Sequence, residues 1–110
     1  MTVFVVCGAP AASKSWVRSR AKPGDLVVDF DLLAAVLTPD AADQPLSSHA
    51  FSVVHAAFKA AIRGVFDSAA TNTLPANASI LETAVNDGVL LRYRALGARI
   101  VEVDKLLDAS

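Results

Sequence analysis

"TVFVVCGAPAASKSW", residues 2–16, decides the fold. Thr2–Cys7 is a short, unbroken apolar run rich in valine, the pattern of a strand buried on both faces, as in parallel sheets. A helix would need more length and a polar face. Small residues follow, and Ser15–Lys22 then reads as a short helix with Arg18, Arg20 and Lys22 in its last turns, where cations suit the negative end of the helix dipole. Pro23-Gly24-Asp25 ends it in a turn. A second apolar strand follows at Leu26–Phe30. Strand, small-residue turn, helix, strand is the beginning of an α/β fold.

The rest of the chain continues that pattern. Asp31 is placed to cap a helix over residues 32–37, and residues 38–45 form a loop by composition. Ser48–Phe66 is the clearest helix. Phe51, Val54, Phe58, Ile62 and Val65 step by three or four along one apolar stripe, with Ser52, His55, Lys59, Arg63 and Asp67 on another face. His55 thus reads as a solvated surface histidine, and His49 has no evident partner. Residues 67–77 are weakly patterned, with a short strand at "TNTL". Ser79-Ile80-Leu81-Glu82 fits a capping box opening a helix that Asn86-Asp87-Gly88 would end. Residues 89–96 are helical again, Gly97 is a natural stop, and Arg99–Val103 is a further strand. Strands alternating with helices indicate a layered α/β fold around a parallel sheet of three to four strands.

Bulk properties agree with one packed domain over residues 1–110. Of 110 residues 54% are hydrophobic and 19% charged, which excludes disorder. A net charge of −1 gives no global field for nucleic acid or an acidic membrane. No run approaches the ~18 apolar residues of a membrane span, and no positive charge precedes the short apolar start as in a signal peptide. The expectation is a cytoplasmic chain. Cys7 is the one cysteine, so it has no internal disulfide partner; it reads as strand packing rather than a nucleophile.

The turn after the first strand carries a candidate chemistry. Gly8-Ala9-Pro10-Ala11-Ala12-Ser13-Lys14-Ser15 matches the phosphate-loop spacing of Gly, four residues, Gly, Lys and Ser or Thr, except that Ser13 stands where the second glycine belongs. Such a loop presents unpartnered amide groups at a helix N-terminus to an anion, and small Ala9, Ala11 and Ala12 permit close approach. Lys14 would place a point charge on the β- and γ-phosphates, and the Ser15 hydroxyl would ligate Mg²⁺. Ser13 either crowds the phosphate with its Cβ or donates its hydroxyl to it. In parallel sheets ligands bind beyond the carboxyl ends of the strands. "VVDFD" puts Asp29 and Asp31 at such an end, facing one side if the strand continues that far. There a carboxylate serves to hold Mg²⁺ or to accept a proton from an attacking hydroxyl. Plain roles as a helix cap for Asp31 and a strand-end residue for Asp29 stand beside these.

"VFVVCGAPAASKSWVRSRAKPGDLVVDFDLLAAVL" at 3–37 resembles the start of P-loop kinase-like ATPases of actinobacteria and their phages, within the polynucleotide-kinase and zeta-toxin group. "LLRYRALGARIVEVD" at 90–104 resembles that family's later helix and strand. The resemblance implies a three-layer P-loop NTPase-like core binding ATP or GTP with Mg²⁺. Gly8, Ala11, Ala12, Ser13, Lys14, Ser15 and Trp16 would lie along the phosphate loop, Ser15 and Asp29 at the metal, and Asp31 as the base toward a hydroxyl acceptor. Trp16 stands where the family usually has a hydroxyl residue. The family's lid arginines would fall beyond Asp104, and Arg92 and Arg94 read as a solvated helix face, so the resemblance implies a lidless domain that binds nucleotide and turns it over slowly. The other readings are a catalytically inactive relative that works through a protein partner, and an α/β domain unrelated to nucleotides.

Overall fold

A computed structural model describes residues 1–39, 45–83 and 85–108. The described elements run β1 (Val3–Cys7), α1 (Pro10–Arg20), β2 (Leu26–Val28), α2 (Phe30–Leu37), α3 (Ser48–Ala70), β3 (Ala78–Glu82), α4 (Asp87–Ala95), β4 (Arg99–Glu102) and α5 (Val103–Asp108). The four strands form one sheet in the order β2-β3-β1-β4, and every pairing is parallel. The expected α/β class, with a short parallel sheet between helices, is therefore the observed one.

Alternation along the strands makes the layers. Val3, Val5 and Cys7 of β1, with Ala78 and Ile80 of β3, point to one face, where Phe58, Val65 and Phe66 of α3 and Leu90 of α4 cover them. Phe30 and Leu33 of α2 pack against the same cluster. Val6 of β1 and Leu81 of β3 point to the other face, covered by Val17 of α1 and Val103 of α5, with Trp16 beside them. Val5, Val6 and Ile80 are fully buried. Burying an aliphatic side chain of this size contributes about 1.5–3 kcal/mol, so the β1–β3 pair is the centre of the hydrophobic stabilisation.

Several local expectations are corrected. Ser79–Glu82, which has the sequence pattern of a helix start, lies in β3 beside β1, with Val5 opposite Ile80. Burial of Ala78, Ile80 and Leu81 outweighs the local capping pattern, and Thr71–Leu74, the "TNTL" segment, forms no strand. Asn86-Asp87-Gly88 starts a helix instead of ending one, because the Asn86 side chain accepts the Val89 N–H at 2.9 Å. The second strand stops at Val28, so Asp29 and Asp31 do not share a strand face. Asp29, not Asp31, caps α2: its Oδ1 accepts the Asp31 N–H at 3.0 Å. The helix from Ser48 extends to Ala70, and a short helix, α5, continues from β4. Gly97 follows α4 with φ of +93°, as a helix-ending glycine requires.

Candidate functional site

The sheet order itself defines where a ligand would sit. The connection leaving β1 runs through α1 on one face, whereas the connection leaving its neighbour β3 runs through α4 on the other. Two adjacent parallel strands whose outgoing helices diverge to opposite faces leave a crevice beyond their carboxyl ends, the position at which open α/β sheets bind ligands. A cavity of about 420 Å³ lies there. Pro10, Ser13 and Lys14 line it from α1, Asp29 and Asp31 from the end of β2 and the start of α2, and Glu82 and Thr83 from the end of β3. Phe30, Phe51, His55 and Phe58 supply an apolar and aromatic side.

The backbone around Gly8 departs from the sequence expectation. The helix begins at Pro10, not Ser15, so Pro10–Ser15 form its first turns instead of a loop. Proline pre-organises a first helical position and has no N–H to lose there, and alanines follow that favour helix. Ser13 in place of glycine adds nothing that would break the helix, and its N–H donates to Ala9 O at 3.0 Å. Ala11 and Ala12 then carry the N–H groups without intrahelical partners. Ala9 cannot cap with its own side chain. Its N–H donates instead to the Asp104 carboxylate, 3.2 Å from Oδ2 and 3.3 Å from Oδ1. Gly8 permits this approach: its φ is +132°, and a Cβ there would stand 2.7 Å from Val103 Cγ2 and 2.9 Å from Asp104 Oδ2.

The charged residues of the crevice are already engaged. Lys14 Nζ donates to Asp31 Oδ2 at 2.6 Å. This hydrogen bond raises the Lys14 pKa above its ordinary value, with the nearby Asp29 charge adding to it. Ser13 is 1% exposed, and its Oγ has no hydrogen-bond partner among the described residues. Asp29 is 7% exposed and holds the α2 N-terminus.

Of the residues singled out from sequence, Ser13, Lys14, Asp29 and Asp31 meet in this crevice. Gly8 lies against α5. Ser15 is exposed on α1 and does not line the cavity. Trp16 packs on the opposite face of the sheet, edge-on to Phe4 with ring centroids 5.5 Å apart, and Arg20 lies over its ring. Ala12 packs toward that face too, and Ala11 is exposed. Sequence reading missed Glu82, hidden inside the mistaken helix start, and His55, which is exposed as expected yet stacks on Phe51 at 5.7 Å and lines the crevice.

Among the described residues no group of three or more His, Cys, Asp or Glu forms a metal site by itself, and no helix is long and apolar enough to cross a membrane. Asp29 nevertheless fits the usual mode of Mg²⁺ binding, in which one or two carboxylates act together with ligand phosphates. No family model, curated protein or solved structure matches this chain.

Proposed function

We propose that the crevice binds the phosphate end of a nucleoside triphosphate, ATP or GTP, together with Mg²⁺. One observation carries this reading: the N-terminal turn of α1, the Lys14 ammonium and the buried, unpartnered Ser13 hydroxyl converge on a cavity at the reversal of strand order. A helix N-terminus and a lysine attract an anion, and an unpaired buried hydroxyl is a donor awaiting an acceptor. Bound Mg²⁺ would neutralise phosphate charge, with Asp29 as its protein carboxylate. On this reading Lys14 exchanges Asp31 for a phosphate oxygen. The freed Asp31 orients a hydroxyl acceptor and takes its proton. Among the described residues no arginine lines the crevice, so transfer would proceed without the charge stabilisation that an arginine finger provides, about 10³–10⁵ in rate.

Thermal denaturation with and without nucleotide and Mg²⁺, on the wild type and on Lys14→Ala, tests the reading. At ligand near 100 times its dissociation constant, binding stabilises by about 2.7 kcal/mol, about a 10 °C rise in a domain of this size. The variant should show little of that rise. No shift at millimolar nucleotide in the wild type would remove the proposal.

A second reading, a protein partner without catalysis, is favoured by a separate observation. On α2, Leu32 is 54% and Val36 74% exposed, and Val53 on the packed neighbour α3 is 61% exposed. Grouped exposed aliphatic side chains mark interaction surfaces. Light scattering of the wild type and of Val36→Asp would show whether self-association or capture depends on this face.

A further inference from the structure

We propose that the groove between α3 and α4 is a second ligand site, for a small anion carried on an aromatic or similarly flat apolar body. The groove is a cavity of about 550 Å³, within the range of about 300–1,000 Å³ typical of small-molecule sites. Its wall is apolar: the Phe66 and Tyr93 rings stack with centroids 5.7 Å apart and planes inclined by 22°. Phe58 continues that surface.

The rim is cationic. Lys59 and Arg63 from α3 and Arg92 from α4 all line the groove. The ion pairs among the described residues are Lys14–Asp31 and Lys105–Glu102, so none of these three cations pairs with a carboxylate of the described residues. Two acids share the lining, Asp67 and Glu82. Glu82 is committed, since its Oε1 accepts the Tyr93 hydroxyl at 2.7 Å. That bond fixes the ring that forms the flat wall. A flat apolar surface edged by three cations, which outnumber the acids of the same lining once Glu82 is engaged by Tyr93, is complementary to a flat ligand with a terminal negative charge; guanidinium groups suit a phosphate or carboxylate in particular. The groove shares His55, Phe58 and Glu82 with the crevice, so ligands in the two sites would lie side by side.

The test is a ¹H–¹⁵N NMR titration of the whole chain with 1-naphthyl phosphate, with neutral 1-naphthol as the control. Saturable shifts at Phe66, Arg92 and Tyr93 are expected. The combined Arg63→Ala and Arg92→Ala variant should bind about tenfold or more weakly, equivalent to about 1.4 kcal/mol. Both arginines are exposed, so the fold should survive their removal. Lys14→Ala should leave this binding unchanged even if the nucleotide reading of the crevice fails. The proposal is overturned if naphthol binds as tightly as the phosphate, if the shifts map to Lys14 and Asp31 instead, or if only an acidic peptide or a second copy of the chain perturbs the groove.

Discussion

Lys14 Nζ and Asp31 Oδ2, 2.6 Å apart, tie α1 to α2 across the mouth of the crevice. Both side chains are partly open to solvent, 36% and 64% exposed, and pairs of this kind contribute about 0–1 kcal/mol. A ligand phosphate can therefore displace Asp31 at little cost. Asp31→Asn should leave nucleotide affinity unchanged or raise it up to about fivefold, while any phosphoryl transfer falls with loss of the proton acceptor. Calorimetric binding alongside a turnover assay separates the two effects. Lost binding with retained turnover would contradict the assigned roles.

Asp104 places negative charge at the same end of α1 that an arriving anion would use. Replacing it by Asn keeps an acceptor for the Ala9 N–H and removes the charge. A charge at a helix terminus is worth about 0.3–1 kcal/mol. Asp104→Asn should accordingly tighten tripolyphosphate or nucleotide binding about two- to fivefold. Isothermal titration at low salt would register the change, and an unchanged affinity would mean that the anion does not approach α1 from its N-terminus.

Ser13→Ala should act in opposite directions on the free and bound protein. A buried polar atom without a partner costs about 1–3 kcal/mol, so its removal should raise the melting temperature of the free chain. The same change removes a donor from the crevice and should weaken nucleotide binding. Thermal melts with and without ligand read both. A variant that is less stable when free would show that the hydroxyl already has a partner.

Cys7 gives a pH signature. Burial, reinforced by the charges of Glu102 and Glu82, pushes its thiol up to about 11. The folded state thus holds this proton more tightly than the unfolded state. Its stabilising effect is complete below the ordinary thiol value near 9.0 and is lost as pH rises to about 11. Urea denaturation between those pH values should show this decline in the wild type and a flatter profile in Cys7→Ala. Alkylation of the native thiol at neutral pH should be slow for the same reason.

Legibility of the fold followed how strongly each segment's burial showed in its composition. VFVVC and LVV are apolar runs that suit strands, RIVE keeps two β-branched residues between its charged ends, and the stripe through Val54, Phe58 and Val65 marks a helix by spacing alone. ASILE was harder. Its inward residues include a small alanine, and Ser79 with Glu82 imitates a helix start, so only the sheet partners reveal it. Asn86 misled because the same side chain that favours a turn also caps a helix. The lysine and two aspartates of the crevice were recognisable as charges beside strand ends. Glu82 and His55 joined them through the β3 pairing and the α3 approach, which no local pattern encodes. Pro10 suits a first helical position, a signal overshadowed in the sequence by the phosphate-loop spacing of Gly8, Lys14 and Ser15.

The sheet order also sets a timetable. β1 is made before both of its neighbours, which come from the last third of these 110 residues, with Val3 opposite Ala78 and Phe4 opposite Arg99. During synthesis at about 5–20 residues per second, VFVVC would wait about 4–15 s for a strand to pair with. For that interval an apolar segment of high β-propensity has no native partner strand, and transient cover by α1 is the shelter within its reach.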